Sequence, residues 1–298
     1  MKRIIGVIGP TAVGKSQLGI AIAKQVNGEI ISCDAFQFYR GLTIGTAKLL
    51  ESEWQGVKHH LIDILDPNDS FSVADYQKLV RAKIDELHQR NITPVLVGGS
   101  GLYIQSVLYD YRFTGQRRID DQELAKLANG ELWQYLNKIA PEAAKNTDQS
   151  NRRRLMRAIE IALSEGDVLD QKGKYPYYDH FELIGLEMPR AELYAQIEKR
   201  VDKMIESGLI EEVRGLYDAK VFSQSTQAIG YKELYQYFAG NKTIEETIQL
   251  IKQQTRRYAK RQMTWFKNQM QAKWYTVDIN DFQATVDRVL EDIKKNTD

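Results

Sequence analysis

Eight consecutive residues near the start of the chain have the types and spacing that bind phosphate groups. They match the pattern G-x-x-x-x-G-K-[ST], between an apolar run and a helical pattern: Gly9-Pro10-Thr11-Ala12-Val13-Gly14-Lys15-Ser16. Glycines let the backbone curl so that its N–H groups point at phosphate oxygens, and Lys15 adds a positive charge. The hydroxyl of Ser16 can ligate Mg²⁺. The segment, called the phosphate loop below, predicts a magnesium-assisted site for a diphosphate or polyphosphate.

A carboxylate follows the next apolar run of the chain. Asp34 stands two residues after Ser32, the last residue of that run. Because the carboxyl ends of parallel strands share one edge of a sheet, we expect Asp34 to face the bound phosphates. There it could hold magnesium-bound water or take a proton from an incoming nucleophile. An Asp after a strand is also a frequent turn or helix cap, but the shared edge favours the functional interpretation.

Several further polar side chains are expected near the same edge. Gly98-Gly99 permits a close backbone approach, and Ser100 offers a hydroxyl and an N–H to a phosphate oxygen. Lys48 could supply a second cation near the diphosphate, although a lone lysine is more often a solvated surface charge. His59-His60 lacks a third metal ligand at suitable spacing and is interpreted as a packing or hydrogen-bonding pair.

The phosphate loop and Asp34 need a scaffold of alternating strands and helices. Four short apolar runs bounded by turn residues predict buried strands: Ile4–Ile8, Glu29–Ser32, Leu61–Leu65 and Pro94–Val97. Helical periodicity predicts helices at Gln17–Val26 and Val73–Gln89. This alternation predicts an α/β fold, a parallel sheet like that of P-loop NTPases with helices on both faces.

The middle of the chain differs in pattern. Residues 111–179 are polar and helical, with few strand signals, and predict a mostly helical insertion domain between two parts of a core domain, 1–110 and 180–298. The core resumes with a predicted strand at Phe181–Glu187. Four long helices are predicted to follow it: Arg190–Ile205, Ile210–Ala219, Ile244–Lys267 and Asp281–Lys295.

Composition limits the class of protein and its partners. Apolar residues make up 43% of the 298 residues and charged residues 27%, which is typical of a soluble globular protein. The net charge is only +1, so any surface for nucleic acid must be local. The single cysteine, Cys33, excludes an internal disulfide and fits a reducing cytoplasm. No stretch approaches the roughly 20 apolar residues of a membrane span. We expect a cytoplasmic protein, and nothing demands more than a monomer.

Two stretches are locally basic. A predicted helix over Thr255–Met270 places a set of cations on one face and apolar residues on another. The cations are Arg256, Lys260, Arg261 and Lys267. The second stretch, Arg152–Arg157, carries four arginines in six residues. The first helix could track RNA phosphates or be a solvated face, whereas the four arginines of the second exceed what a solvated face needs. Tyr231, Tyr258 and Trp265 could stack on bases, although such residues are more often half-buried in a core.

The ordered motifs resemble one family across nearly the whole chain. They are similar to the bacterial tRNA dimethylallyltransferases, also called tRNA isopentenyltransferases, and only 114–146 is poorly matched. The segments that carry the resemblance are Gly9–Ser16, Asp34–Tyr39, Ile44–Lys48, His59–Asp63, Gly98–Tyr103, Asn151–Glu160, Ala228–Glu233 and Thr255–Gln262.

This resemblance implies a reaction and roles for particular residues. Dimethylallyl diphosphate would bind the phosphate loop with Mg²⁺, and the N6 amine of an adenosine beside the anticodon of tRNA would attack its allylic carbon. Asp34 matches the family's general base, Gln37 its adenine contact, and Ser100 its diphosphate-contacting Thr, so Asp34, Ser100 and Lys15 form the predicted catalytic set. Ala35 departs from the family's usual Ser.

The tRNA contacts are predicted from the same motifs and from the basic helices. The predicted tRNA-contacting residues are Asp34, Ala35, Phe36, Gln37, Ser100, Arg153, Arg154, Leu155, Met156, Arg157, Ala228, Ile229, Gly230, Tyr231, Arg256, Arg257 and Lys260. The family's arginine in the insertion, which contacts the anticodon stem-loop, has no clear equivalent. Arg117, Arg118 and Lys126 are its candidates.

Two other functions fit parts of the pattern. A phosphate loop also serves small-molecule and nucleotide kinases, which predict ATP turnover, and the basic insertion could be the arginine-rich lid of such an enzyme. A nucleotide-dependent RNA-binding switch would need loops that sense a γ-phosphate, and the sequence has no convincing Asp-x-x-Gly motif after a strand.

Overall fold

The computed structural model describes residues 2–113, 122–163, 173 and 175–295. The chain divides into two compact units, a larger one formed by 1–109 with 176–298 and a helical one formed by Asp110–Tyr175. Arg117 and Arg118, two candidate tRNA contacts, lie outside the described residues. In the part of the chain that is described, no helix is long and apolar enough to span a membrane.

The larger unit is built on a parallel sheet, as predicted. Six strands pair in the order β3-β2-β4-β1-β5-β6, and every neighbouring pair is parallel. The strands are β1 (Ile4–Ile8), β2 (Gly28–Ser32), β3 (His59–His60), β4 (Thr93–Val97), β5 (Phe181–Glu187) and β6 (Lys273–Thr276). The helices are α1 (Lys15–Gln25), α2 (Val73–Gln89), α3 (Gly101–Leu108), α4 (Gln122–Lys126), α5 (Asn129–Ile139), α6 (Pro141–Lys145), α7 (Arg152–Leu163), α8 (Arg190–Glu206), α9 (Leu209–Asp218), α10 (Tyr231–Phe238), α11 (Ile244–Gln269) and α12 (Phe282–Lys295).

Both faces of the sheet are buried, which is why the central strand β1 is apolar at every position. Successive side chains of a strand point to opposite faces, and in β1 Ile5 and Val7 pack with residues of α1, α8 and α12. Ile4 and Ile8 pack on the other face with residues of α2 and α3 and with Phe266 of α11. The prediction of helices on both faces is confirmed.

One predicted strand is wrong. The sequence pattern placed a strand at Leu61–Leu65, whereas β3 covers only His59–His60. Leu61 and Asp63 adopt φ values of 62° and 55°, which an extended strand does not allow. The chain leaves the sheet there, and Leu65 makes only an isolated bridge to Tyr39.

Helices α8 to α11 build a third apolar cluster beside the sheet. Its buried members include Leu209 and Val213 of α9, Tyr231 and Leu234 of α10, and Ile251 of α11. Tyr39 and Leu42, which follow β2, also belong to it. The segment after Asp34 is therefore fixed against these helices, and it is positioned by the C-terminal part of the chain.

The helical unit has its own small core. Leu132 and Leu136 of α5 pack with Leu155 and Ile159 of α7. On α7, Arg153 and Arg154 are exposed. The basic stretch is thus a surface of an amphipathic helix, and Leu155, a predicted tRNA contact, has its side chain buried in the core instead.

Gly98 offers a test of the packing at the end of β4. A Cβ added to Gly98 would lie 2.2 Å from the carbonyl oxygen of Cys33, a backbone atom that cannot move aside cheaply. We expect Gly98→Ala to lower the free energy of unfolding by about 1–3 kcal/mol. Gly215→Ala is the matched control, because nothing lies within 4 Å of its added Cβ on the exposed side of α9; it should raise stability by up to about 1 kcal/mol. Urea unfolding measures both, and equal midpoints for Gly98→Ala and wild type would contradict the close approach.

Candidate active site

The phosphate loop joins β1 to α1 through backbone that favours glycine. Gly9 and Gly14 have φ values of 146° and 96°. A Cβ on Gly9 would lie 2.6 Å from the carbonyl oxygen of Leu186, and one on Gly14 would meet the ring of Phe282 at 2.4 Å. The sharp turn brings the loop to the N-terminus of α1, where Lys15 begins the helix. This is the arrangement that presents backbone N–H groups to an anion.

The loop opens onto a cavity of about 570 Å³, called the donor cavity below. Its walls are the phosphate loop, the carboxyl ends of β2 and β4, and faces of α8 and α11. Among the lining residues are Thr11, Lys15, Ser16, Asp34, Gln37, Thr46, Gly99, Gln196, Lys199, Arg200, Lys203, Tyr258 and Gln262. The sheet edge therefore gathers the phosphate loop and Asp34 into one chamber.

Asp34 both caps a turn and faces the cavity, the two roles that the sequence offered as alternatives. Its Oδ1 accepts a hydrogen bond from the N–H of Phe36 at 2.9 Å, which caps the turn after β2, while its side chain lines the donor cavity. Burial raises the pKa of Asp34, and the N–H of Phe36 and the charges of Lys15 and Arg200 oppose this increase. The carboxylate is consequently a better proton acceptor than an exposed Asp.

Lys15 lies deep in the same chamber. Its Nζ donates to the carbonyl oxygen of Pro10 at 2.6 Å. Burial, together with the charge of Arg200, lowers the pKa of Lys15 to about 7. An anion in the loop would favour the charged ammonium, so this amine is ready to gain a proton when a phosphate group binds.

A row of polar side chains on α8 faces the phosphate loop across the donor cavity. Gln196, Lys199, Arg200 and Lys203 follow the spacing i, i+3, i+4, i+7, which places them on one helix face. Sequence reasoning missed this row, although its spacing is visible in the predicted helix Arg190–Ile205. Burial lowers the pKa of Arg200, and the charge of Asp34 opposes that change.

Two of the four acidic residues of α8 pair with residues of α11. Glu198 pairs with Arg256 of α11, and Asp202 pairs with Lys252 at 2.6 Å. Among the described residues, Arg200 has neither a hydrogen bond nor an ion pair with any of them. Glu198 and Asp202 of α8 thus face α11, whereas Lys199, Arg200 and Lys203 line the donor cavity, where they can interact with an anion.

Helix α11 ties the phosphate loop to the end of β4. Oε1 of Gln262 accepts from the N–H of Thr11 at 2.9 Å, and its Nε2 donates to the carbonyl oxygen of Gly99 at 2.9 Å. One turn earlier, Tyr258 lines the cavity. Burial and the charge of Asp34 raise the pKa of Tyr258 to about 12, while hydrogen bonding to Ser100 lowers it. Ser100, the residue before α3, therefore lies beside Tyr258 and near Asp34.

A second cavity of about 270 Å³ adjoins the first. Both cavities are lined by Thr11, Asp34, Thr46, Arg200 and Tyr258. The second is otherwise more apolar, and its walls include Phe36, Ile197, Val201, Met204, Leu209, Ala228, Ile229, Gly230 and Ile251. Asp34 thus stands where a chamber that suits a diphosphate meets one that suits an apolar or aromatic group.

Three residues singled out from the sequence do not present their side chains as expected. Tyr231 is fully buried, and its hydroxyl donates to Glu212 at 2.5 Å, so it has no face for a base. Arg256 is held by Glu198. Lys48 is buried, where it pairs with Asp63 and donates to the carbonyl oxygen of Tyr39, and it is not part of the donor cavity.

The exposed face of α11 keeps the remaining cations. Arg257 and Lys260 are exposed and line a shallow surface pocket of about 530 Å³ with Arg261 and Trp265. Of the residues that the structure describes, none that lines this pocket is acidic. Trp265 is 36% exposed and lies against Gly101 at the start of α3, close to Ser100. A basic surface with an exposed indole therefore adjoins the active-site chamber.

The relatives of this chain share both its sequence and its fold. The tRNA dimethylallyltransferases of Anoxybacillus flavithermus and Bacillus subtilis are 46% and 50% identical to it, over 98% and 91% of this chain and 96% and 90% of theirs. The tRNA delta(2)-isopentenylpyrophosphate transferase of Staphylococcus epidermidis has a crystal structure that matches with a TM-score of 0.75 at 42% identity, over 99% of each chain. A eukaryotic dimethylallyltransferase acting on tRNA matches with a TM-score of 0.85 at 25% identity, over 99% of this chain and 80% of that one.

The family assignment decides between the transferase and kinase interpretations of the phosphate loop. The sequence model of the IPP transferase family matches residues 37–269, which covers most of the chain. The chain is therefore a member of the IPP transferase family, the enzymes that transfer a dimethylallyl group to an adenosine of tRNA.

Proposed function

We propose that the chain uses the donor cavity for dimethylallyl diphosphate and Asp34 as the base that deprotonates the N6 amine of an adenosine beside the anticodon. One observation carries this proposal: the carboxylate of Asp34 lines both cavities, between the phosphate loop and the more apolar chamber. A departing diphosphate on one side and an incoming base on the other would meet at this carboxylate.

The cations of the donor cavity fit the departure of diphosphate. An adenine amine is a weak nucleophile because its lone pair is delocalised into the ring, so attack needs an allylic carbon that already carries positive charge. Lys15, Arg200 and the N–H groups of the phosphate loop can stabilise the negative charge that develops on the leaving group. Such stabilisation favours cleavage of the C–O bond.

Asp34 then receives the amine proton. Burial raises the pKa of Asp34, so its carboxylate takes up a proton more readily than an ordinary Asp. General-base assistance is worth about 10²–10⁴-fold in rate. The resemblance assigns Gln37, which lines the donor cavity, to the target base. It assigns Ser100, which lies beside Tyr258 but is not among the residues lining either cavity, to the diphosphate.

Mg²⁺ fits the donor set of this site. Enzymes of the family typically require a divalent metal, and no group of three or more His, Cys, Asp or Glu side chains among the described residues could hold one. Magnesium needs few protein ligands and keeps several waters, so the hydroxyl of Ser16 and oxygens of the bound diphosphate suffice. When bound, the ion would neutralise part of the diphosphate charge.

The RNA surface is assigned to exposed cations. Arg257 and Lys260 on α11, with Trp265 beside them, combine positive charge with a ring on which a base can stack. Arg153 and Arg154 on α7 offer a second basic surface in the helical unit. The anticodon stem-loop is the proposed ligand of both.

Replacement of Asp34 tests the base. Asp34→Asn keeps an oxygen for the N–H of Phe36 but cannot take a proton, so kcat with labelled dimethylallyl diphosphate and unmodified tRNA should fall by about 10²–10⁴-fold. Affinity for tRNA should stay unchanged. Because the base works only when ionised, the wild-type rate should fall as pH decreases through the raised pKa of Asp34, and this acidic limb should disappear in the variant. Near-normal turnover of Asp34→Asn would remove Asp34 from this role.

Proton uptake tests the diphosphate site. The pKa of Lys15 is about 7, so at about pH 8 most free enzyme carries a neutral amine. A bound diphosphate favours the charged form of the Lys15 amine, so the enzyme should take up about one proton on binding. Calorimetry of dimethylallyl diphosphate binding in two buffers with different ionisation enthalpies measures this number. Lys15→Gln should abolish the uptake, and equal uptake in both proteins would place the diphosphate elsewhere.

Charge removal tests the RNA surface. Arg257→Gln with Lys260→Gln should weaken tRNA binding and reduce the slope of log Kd against log salt by roughly 1 for each phosphate that no longer has a cation beside it. Arg256→Gln is the matched control on the same helix, because that guanidinium is paired with Glu198 and should affect stability more than RNA affinity. An unchanged salt slope in the double variant would show that this face of α11 is solvated and does not bind RNA phosphates.

A further inference from the structure

The carboxylate of Glu212 collects four hydrogen bonds in one place. On α9, its Oε2 accepts from the N–H groups of Thr43 and Ile44 at 2.9 and 2.8 Å. Its Oε1 accepts from the N–H of Gly45 at 3.1 Å and from the hydroxyl of Tyr231 at 2.5 Å. Three successive backbone donors thus point at one anion, and that anion belongs to the protein itself.

The segment held in this way has little other support from regular structure. Residues 42–48 contain no helix or strand. They are held by this carboxylate, by local turns, and at their two ends by the buried side chain of Leu42 and the pair of Lys48 with Asp63. Gly45 lies close to the ring of Tyr231: a Cβ added to Gly45 would be 2.4 Å from Cε2 of that ring. The motifs Ile44–Lys48 and Ala228–Glu233, which are far apart in sequence, therefore meet at Glu212.

The same segment reaches the reacting groups. Thr46 lines both cavities, and its carbonyl oxygen accepts from Nε2 of Gln37 at 3.3 Å. Oε1 of Gln37 in turn accepts from the hydroxyl of Ser32 at 2.9 Å. A continuous set of contacts leads from Glu212 through Thr46 to Gln37, three residues after Asp34. Glu212 itself lines neither cavity.

We propose that Glu212 is a positioning residue of the transfer reaction: it fixes residues 43–46 and thereby orients Gln37 toward the target adenine. This inference rests on the proposed roles of Gln37 and Asp34. It also gives Tyr231 a role other than stacking on a base, since its ring supports Gly45 and its hydroxyl completes the hydrogen bonds of Glu212.

The test is Glu212→Gln, measured by single-turnover kinetics. An amide can accept at only one of its two ends, so its NH₂ group faces backbone donors and the segment must shift. Misplacement of about 1 Å can cost on the order of 100-fold in rate, and we expect the single-turnover rate constant to fall about tenfold to a hundredfold. Affinity for dimethylallyl diphosphate, held by the phosphate loop, should stay close to wild type.

Three further variants sharpen the comparison. Gly45→Ala pushes the same segment from the ring of Tyr231 and should lower the same rate constant; if Glu212→Gln does not fold, this variant decides by the same criterion. Glu211→Gln, the adjacent exposed acid on α9, should leave the rate constant unchanged. In Glu212→Ala, added formate should restore part of the rate, because it can occupy the vacated anion position.

The outcomes separate this inference from the proposed function. A single-turnover rate constant does not depend on the fraction of folded enzyme, so a normal value with a lowered Tm would make Glu212 purely structural and overturn the inference. Loss of rate in Asp34→Asn together with a normal rate in Glu212→Gln would contradict only this inference. A normal rate in Asp34→Asn would contradict the proposed role of Asp34 as the base, on which this inference rests.

Discussion

The close approach of two strand ends is the constraint on which the site depends. The backbone of Gly98 at the end of β4 lies against the carbonyl of Cys33 at the end of β2, and no side chain fits between them. The N–H of Ser100 donates to that carbonyl at 3.3 Å. Asp34, Gly99 and the phosphate loop are thereby held at one edge of the sheet, where the chemistry needs a carboxylate beside a diphosphate. The parallel topology supplies the shared edge, and the glycines allow the short distance.

Charge is distributed so that the chamber is ready for an anion. Two acidic side chains of α8, Glu198 and Asp202, pair with α11, while Lys199, Arg200 and Lys203 line the donor cavity opposite the phosphate loop. Burial raises the pKa of Asp34 and lowers the pKa of Lys15, which favours the neutral form of both side chains. A diphosphate would supply the charge that the free site lacks. In the proposed function, a bound diphosphate would complete the electrostatics of this site, and the same burial would make Asp34 a more effective base.

The sequence was sufficient for the parts of the molecule that depend on local pattern. The strand–loop–helix arrangement of residues 4–25, the α/β class and most long helices follow from glycine spacing and hydrophobic periodicity, and these predictions are confirmed. The strand predicted at Leu61–Leu65 failed because its residues form a short apolar run like that of a buried strand, while Leu61 and Asp63 adopt left-handed backbone. The cations of α8, the buried state of Tyr231 and the pairing of Arg256 with Glu198 depend on contacts between segments far apart in the chain, which no local pattern encodes. The family resemblance identified Tyr231 as part of a motif but not whether its ring would face RNA or the core.

The packing of Phe282 on Gly14 has a consequence for how the protein is made. The phosphate loop leaves the ribosome long before α12 does, yet its curled backbone rests on the first residue of that helix. The hydrogen bond from the N–H of Thr11 to Oε1 of Gln262 likewise forms only after α11 has been synthesised. The packing around the phosphate loop is therefore complete only after α12 has been synthesised, and a nascent chain that ends before that helix carries the motif without the ring of Phe282 beside Gly14.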